Sequence, residues 1–433
     1  MVVIKKLNKH HGAVLLAAIA LAPIVLWLSH VVVTPFASLG DFLLFCGKFM
    51  ALTGISLFLI NPLLGVRNGP AIRLFGGLDQ MYQLHKSSGK IAFLIILGHP
   101  VFFGVGGLVS GLKFANIWDW SSLLIFTGVL GTVGLTMLTA ASIYAHITHQ
   151  RWVKIHRLFG WLIPVFLLHT VLARSVVWEN KPLLIYTFGI GILGFSAFIY
   201  RSVLGGKLIK RYGYSVEEVN HLEGGVTEVA LKPQNKSMDY QPGQFAFVSF
   251  IADGIDPEAH PYSFTTSNSG PVIRFAIKAL GDDTSALKDL PVGSKAQLEG
   301  PYGSFGYAMT PGSEQIWIAG GVGITPFLSM ARALGNNSGT KISLFYASQR
   351  LADTAFLHEL LEITRHLKNF RVHIVDAEVS GFVTPQMIRT ACDGLHEFEY
   401  LICGPPTMMK SLRAALTRDG VAGHRIHTED FSI

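Results

Sequence analysis

Up to about residue 204, long apolar stretches alternate with short polar connections. Six stretches fall at roughly 13–35, 41–62, 89–110, 121–146, 156–175 and 183–204. Each is near the length that crosses a bilayer core as a helix, about 20 residues. Beyond Lys210 the pattern shortens. Segments such as GVTEVALKP, GQFAFVSF and VIRFAIKAL are rich in Val and Phe and separated by turn residues, which predicts antiparallel strands of a small barrel or sandwich. From about Gln315, strand-like runs (IWIAGG, KISLFYAS, FRVHIVDA, YLICGP) alternate with helix-like ones (PFLSMARAL, AFLHELLEITRHL, TMMKSLRAALTRD). Such alternation predicts a parallel α/β sheet. The chain therefore reads as multidomain: a six-helix transmembrane bundle over 1–204, an antiparallel β-barrel over 205–308, and an α/β parallel-sheet domain over 309–433.

Composition agrees with a membrane part diluted by a soluble one. Of 433 residues, 50% are hydrophobic and 15% charged, and the mean hydropathy is +0.42, too apolar for a soluble enzyme of this size. The net charge of +7 does not point to nucleic acid, because no Lys/Arg-rich run with interleaved aromatics occurs. The basic residues instead flank the spans. One set of connections carries Lys5, Lys6, Lys9, Arg67, Arg73, Lys86, Arg151, Lys154, Arg157, Lys207, Lys210 and Arg211. The other carries only Lys113, Arg174 and Lys181. Positive charge stays on the cytoplasmic side, so the N-terminus and everything after residue 205 are expected in the cytosol. Cys46, Cys392 and Cys403 are widely spaced and form no CxxC, which excludes a zinc ribbon, an iron–sulfur cluster and a disulfide framework. The first apolar stretch is long enough to span and lacks a small-x-small cleavage site, so it reads as a helix rather than a signal peptide.

Ligating groups inside a span are costly and default to function. His85 and His99 bracket the third span, 14 residues apart, and His156 and His169 bracket the fifth, 13 apart. Fourteen residues is about 21 Å of rise and close to four turns, so one helix presents two imidazoles on nearly one face. Thirteen misses the shared face by well over 90°, and Pro164 suggests a kink or a π-bulge that restores the phase. Two such helices facing each other build two bis-imidazole haem sites, His85 with His156 on the cytosolic side and His99 with His169 on the other. Two centres divide a hydrocarbon core about 30 Å thick that one could not bridge. The plainer reading, interhelical hydrogen bonding, accounts for one histidine better than for two matched pairs. His146 and His149, near the end of the fourth span, are alternatives for the inner site but read as cytosolic-loop residues, and His30, with no partner at suitable spacing, reads as structural. Lys48, within the second span, reads as a snorkelling side chain or a propionate partner.

In the soluble half, His260-Pro261-Tyr262-Ser263-Phe264-Thr265 follows a strand. An aromatic beside a hydroxyl at a strand end can lie on a flavin and bond its polar edge, and the preceding His can meet a phosphate. Gly281 to Ser285 (GDDTS) forms a turn whose N–H groups can face a diphosphate. Ala319-Gly320-Gly321-Val322-Gly323-Ile324-Thr325-Pro326 follows an apolar strand and opens a helix, the placement that lets a backbone approach a pyrophosphate. Cys403-Gly404-Pro405-Pro406 ends a later strand; a small polarisable Cys there suits a nicotinamide slot, and a buried structural thiol is the plain alternative. Ser348 and Arg350, after SLFYA, are placed to hold a 2′-phosphate.

On the histidine pairs, HPYSFTTS, AGGVGITPF and CGPP, nearly the whole chain resembles the ferric reductase/NADPH oxidase superfamily, a ferric-reductase-like haem domain fused to a ferredoxin–NADP reductase-like module. That resemblance implies two b-type haems, FAD on the barrel and NAD(P)H on the α/β domain. It implies haem ligation by His85, His99, His156 and His169, flavin contacts at His260, Pro261, Tyr262, Ser263 and Thr265, and FAD phosphate contacts near Gly281 and Thr284. It puts the nucleotide on Gly320, Gly321, Gly323, Thr325, Cys403, Gly404 and Pro405. Phe431, in the ending EDFSI, resembles the ring that covers the flavin in relatives. No EF-hand loop precedes the helices, so calcium control is not supported.

The implied activity is electron transfer from cytosolic NADPH, with NADH possible, through FAD and the haems, across a bacterial-type inner or plasma membrane. The acceptor is a ferric or other metal chelate, dioxygen (giving superoxide) or a periplasmic protein. The 109–120 loop offers no metal-ligand cluster, and Arg174 suits oxygen or an anionic chelate equally. The competing reading is a haem-free membrane transporter or anchor carrying a regulatory flavin reductase module, for which polar, Gly/Pro-broken helices at the midplane would speak. Few are visible, and the paired histidines have no purpose under it.

Overall fold

The computed structural model describes residues 11–30, 36–111, 122–144, 147–173, 176–310, 312, 314–335 and 339–429. The chain divides into two compact units, one ending at Ile209 and the other starting at Lys210. Among the described residues the first unit has six helices long and apolar enough to cross a membrane. They are α1 (His11–Leu28), α2 (Leu39–Gly65), α3 (Leu78–Val109), α4 (Leu123–Tyr144), α5 (Gln150–Leu172) and α6 (Lys181–Val203). The third starts earlier than its apolar pattern suggests, taking in the polar turn DQMYQLHKSSGK. At 32 residues it is about 48 Å long, well beyond a core of about 30 Å. Val14, Val25, Leu94, Met137 and Ile185 are exposed, as expected of faces that meet lipid.

Small residues set the packing. Gly40, Gly47 and Gly54 recur every seven residues along α2 and face α3. A Cβ at Gly47 would lie 3.2 Å from the Phe103 nitrogen, and one at Gly54 2.9 Å from Ile96. Gly128, Gly131 and Gly134 of α4 do the same toward His169, Phe166 and Leu162 of α5. Without a hydrophobic force between helices in lipid, such close backbone approach is what holds them.

The second unit carries two sheets. Strands β1 (Tyr212–Leu222), β2 (Val226–Pro233), β3 (Phe245–Ile251), β4 (His260–Ser263), β5 (Ile273–Lys278) and β6 (Lys295–Tyr302) run in the order β4-β3-β6-β1-β2-β5, and every pairing is antiparallel. The expected barrel is not fully closed. Its edge strands touch at a single bridge, Phe264 to Phe275, with the Thr265 N–H donating to the Arg274 carbonyl at 2.9 Å. The four residues of β4 are too few for a full seam. Tyr214, Val229, Phe264, Phe275 and Leu298 fill the interior.

The other sheet is parallel, β7 (Glu314–Gly320), β8 (Lys341–Ser348), β9 (Phe370–Asp376), β10 (Glu399–Cys403) and β11 (Ile426–Glu429), in the order β11-β10-β7-β8-β9. Helices α7 (Thr325–Ala333), α8 (Leu357–His366), α9 (Pro385–Cys392) and α10 (Pro406–Arg418) accompany it. Ile316, Trp317, Ile318 and Ala319 of β7 are fully buried, as a strand covered on both faces must be.

The glycine seam predicts a contrast on α6. A Cβ at Gly194 would overlap the Leu59 carbonyl, whereas nothing lies within 4 Å of one at Gly189. Gly194→Ala is expected to cost about 1–3 kcal/mol through overpacking, while Gly189→Ala is neutral or slightly stabilising. Thermal melting of the two variants in detergent checks this; equal midpoints would contradict it.

Candidate functional site

The membrane half brings its histidines together in pairs. The rings of His85 on α3 and His156 on α5 have centroids 5.9 Å apart, and His99 lies within electrostatic range of His169. Three of the four rings are held from behind. His85 Nδ1 donates to the Asn61 carbonyl at 3.1 Å, His99 Nδ1 to the Gly47 carbonyl at 2.9 Å, and His169 Nδ1 to the Leu124 carbonyl at 3.2 Å. A carbonyl only accepts, so Nδ1 carries the proton and Nε2 keeps its lone pair. Asn61 closes the grip on His85 by donating Nδ2 to its carbonyl at 2.9 Å. The two acceptors on α2, Gly47 and Asn61, are spaced 14 residues apart, as His85 and His99 are, which is what antiparallel helices in register require. His156 differs: its Nδ1 is buried without a hydrogen bond, and its ring stacks on Trp152 at 4.6 Å.

The phase problem in α5 is solved by overwinding rather than by a π-bulge. Residues Arg157–Trp161 form a 3₁₀ segment, ahead of Pro164, which has no N–H for the Gly160 carbonyl. Five steps at about 120° and eight at about 100° turn the chain about 1,400° between His156 and His169, as far as fourteen α steps turn it between His85 and His99. The larger 3₁₀ rise also brings the separation to about 22 Å against about 21 Å. A π-bulge would have unwound the helix and widened the error. Gly128 completes the arrangement, since a Cβ there would sit 2.8 Å from His169 Cε1. His30 is exposed and bonded to Ser29, and Lys48 is exposed on α2. His146, Arg174 and residues 112–121 of the connecting loop lie outside the described residues.

In the second unit, β4 carries the HPYS segment. His260, Pro261 and Tyr262 are partly exposed and Ser263 is buried. His260 Nε2 is buried with no hydrogen-bond partner, an orphan that a bound phosphate would satisfy. Burial, with Asp283 nearby, holds the Tyr262 phenol well above its ordinary pKa, so it stays a donor. Thr265 is fully buried; its carbonyl accepts from Arg332 Nη1 at 2.8 Å, and its Oγ1 is buried without a hydrogen-bond partner. The GDDTS turn is built by Thr284, whose Oγ1 accepts the Leu280 and Gly281 N–H groups at 2.9 and 3.1 Å.

In the parallel sheet the chain leaves β7 in one direction through β8 and β9, then crosses back to β10 and β11 on the other side. That reversal opens a crevice beyond the carboxyl ends of β7 and β10, the usual nucleotide position in such sheets. The predicted motifs meet there. Gly320 to Ile324 leads from β7 into α7, and Thr325 Oγ1 bonds the Val322 carbonyl at 3.1 Å. Gly404, at φ +157°, lies so near that a Cβ on it would be 3.0 Å from the Gly320 nitrogen. Cys403 is buried at the end of β10, in register with Ala319 on one side and Glu429 on the other. Glu429 is a residue that sequence reasoning missed: a buried carboxylate beside Cys403, which only strand register reveals. Ser348 is engaged in its own turn, bonding the Arg350 carbonyl and Thr354 Oγ1. Arg350 is exposed and paired with Asp353 at 3.0 Å. Phe431 lies outside the described residues.

Fold and crevice define an oxidoreductase module of the ferredoxin-reductase kind, following a bundle of membrane spans in the chain. Comparison with known families agrees. Residues 50–167 match the ferric reductase like transmembrane component, 211–306 an FAD-binding domain, and 317–414 an oxidoreductase NAD-binding domain. The first match includes His85, His99 and His156 and stops two residues short of His169. In this order the three are the architecture of the ferric reductase/NADPH oxidase superfamily, and the chain is a membrane-bound oxidoreductase with FAD- and NAD(P)-binding domains. Among curated proteins it is similar to the propane 2-monooxygenase reductase component of Mycolicibacterium smegmatis, 28% identical over 53% of this chain and 70% of that one. It is also similar to the glycine betaine monooxygenase reductase subunit of Chromohalobacter salexigens, 29% identical over 44% of this chain and 56% of the relative. Among solved structures, flavohemoglobin from Malassezia yamatoensis aligns with a TM-score of 0.53 at 18% identity, over 89% of this chain and 96% of that one, a likeness of fold alone.

The crevice predicts the effect of one methyl group. A Cβ at Gly323 would run into the Cys403 carbonyl and the Gly404 Cα. Gly323→Ala is expected to weaken nicotinamide-nucleotide binding by about tenfold, the equivalent of about 1.4 kcal/mol, with FAD content unchanged. Titration with oxidised nucleotide, followed by flavin absorbance, reads this; an unaltered affinity would contradict the placement.

Proposed function

We propose that this protein carries electrons from cytosolic NADPH, through FAD and two b-type haems, to an acceptor on the opposite side of the membrane. That acceptor is ferric iron or another metal chelate, or dioxygen. The observation that carries the reading is the double histidine pair: two levels matched in phase and rise, with Nδ1 of His85, His99 and His169 each held by a backbone carbonyl. Two imidazoles on one metal, at bonds of about 2 Å each, have centroids about 6 Å apart, close to the 5.9 Å between His85 and His156. Among the described residues no group of three or more His, Cys, Asp or Glu side chains could hold a metal. A bare ion needs three or four protein ligands; a pair suffices where a macrocycle supplies the rest.

When bound, FAD turns a hydride donor into a source of single electrons and haem iron passes them on one at a time. The chain's own residues orient and insulate. Gly47, Asn61 and Leu124 fix the tautomers of His99, His85 and His169, the outer-shell contact that aligns a ligand and raises its basicity. Tyr262 and Ser263 form the flavin shelf, His260 meets its phosphate, and the turns at Gly320–Gly323 and Cys403–Pro405 hold the nucleotide. Arg350 takes the 2′-phosphate after releasing Asp353. The lysine- and arginine-rich connections support a cytosolic N-terminus and soluble half.

A reduced-minus-oxidised spectrum of the purified protein is expected to show two low-spin haems per chain. His169→Ala should lose one and still allow flavin reduction; a variant that keeps both would overturn the assignment. Arg350→Ala should raise the KM for NADPH about tenfold more than that for NADH, since it removes a charge-assisted phosphate contact. Steady-state kinetics with both nucleotides decide it, and equal changes would sink the NADPH preference.

A further inference from the structure

The flavin strand and the nucleotide helix are tied by side chains that belong to neither cofactor site. Helix α7 starts at the glycine turn and then reaches across to the other sheet. Ser329 Oγ donates to the Thr266 carbonyl at 2.7 Å, and Arg332 Nη1 to the Thr265 carbonyl at 2.8 Å. Thr265 and Thr266 directly continue the HPYSF segment. Ser329 and Thr265 are fully buried. Tyr240 adds its hydroxyl to the Thr266 carbonyl at 3.2 Å; burial pushes that phenol's pKa up to about 12, so it stays a donor.

The rest of the Arg332 fork looks the other way. Its Nε and Nη2 bond both oxygens of Glu359 on α8 at 2.6 and 2.7 Å, and Glu228 of β2 lies 3.9 Å from Nη2. Glu228 in turn pairs with Arg274 of β5 at 3.2 Å, and Arg274 with Glu218 of β1 at 2.7 Å. Glu228, Arg274 and Arg332 line an open cleft of about 370 Å³ together with Thr266. Each of the two bonds to the Thr265 and Thr266 carbonyls has a fully buried residue at one end, Thr265 in the first and Ser329 in the second.

We propose that Arg332 and Ser329 are positioning residues for hydride transfer. By gripping the Thr265 and Thr266 carbonyls they fix the separation between the pyrophosphate turn and the flavin strand. That span is short: the seven steps from Thr325 to Arg332 rise about 10 Å, and three steps lead back from Thr265 to Tyr262. Reaction needs the nicotinamide carbon and its acceptor about 3–3.5 Å apart, and a misplacement of about 1 Å costs about a hundredfold. The proposal rests on the reading that NAD(P)H reduces a flavin on β4.

The test compares Ser329→Ala, Arg332→Lys and Glu359→Gln in the full-length, FAD-loaded protein. Arg332→Lys keeps a charge for Glu359 but cannot also fork to Thr265. For Ser329→Ala and Arg332→Lys, the limiting rate of flavin bleaching at saturating NAD(P)H should fall by about tenfold or more, with nucleotide Kd within about twofold of the wild type. Amide exchange at residues 265–267 should quicken in both. Glu359→Gln should have the smaller effect on rate. An unchanged limiting rate, or a raised Kd at an unchanged limiting rate, would overturn the proposal. If instead the wild-type flavin is not reduced by NAD(P)H at all, the functional reading fails, and the exchange measurement still reports whether the grip holds the strand.

Discussion

A polar ring buried among lipid-facing helices has no water to turn to. Each imidazole must satisfy one nitrogen on the protein if the other is to serve a metal. Much of the membrane unit follows from that constraint. The carbonyls that accept from His85 and His99 belong to α2, so α2 must lie against α3 closely enough for ring nitrogens to reach its backbone. Gly40, Gly47 and Gly54 permit that approach. Leu124 at the start of α4 plays the same part for His169, with Gly128 leaving room for the ring. His156 escapes the pattern and is steered by stacking on Trp152, so its proton is the least constrained of the four.

The second unit answers a different demand, an FAD-binding and an NAD(P)-binding domain built on two sheets. The antiparallel sheet carries the HPYS segment on a short edge strand, and the parallel sheet opens its crevice where the strand order reverses. Neither sheet alone sets the distance between them. The polar junction through α7 does, which explains why a buried serine and a branched arginine network occupy a seam where plain apolar packing would have sufficed for stability.

The sequence carried much of this openly. Span count, the change from long to short periods, and the order of flavin and nucleotide motifs follow from hydropathy and glycine placement, and the structure has them all. The spacing of 14 between His85 and His99 was readable as one helix face. The spacing of 13 in α5 was readable only as a mismatch, because composition does not say whether RLFGW winds as α or 3₁₀ helix. Asn61 and Glu429 were invisible for a related reason: each acts through a partner on another element, and only register brings them together.

The overwound segment also bears on how such a helix tolerates insertions and deletions. Thirteen residues with five in 3₁₀ form turn as far as fourteen in plain α form. One residue gained between His156 and His169 can therefore be absorbed by relaxing Arg157–Trp161 to α-helix, with neither ring moved. One residue lost has no equivalent remedy, since the tight turns are already in use. Length drift in this span should run in one direction only, toward insertion, and a histidine spacing of 13 or 14 describes the same architecture.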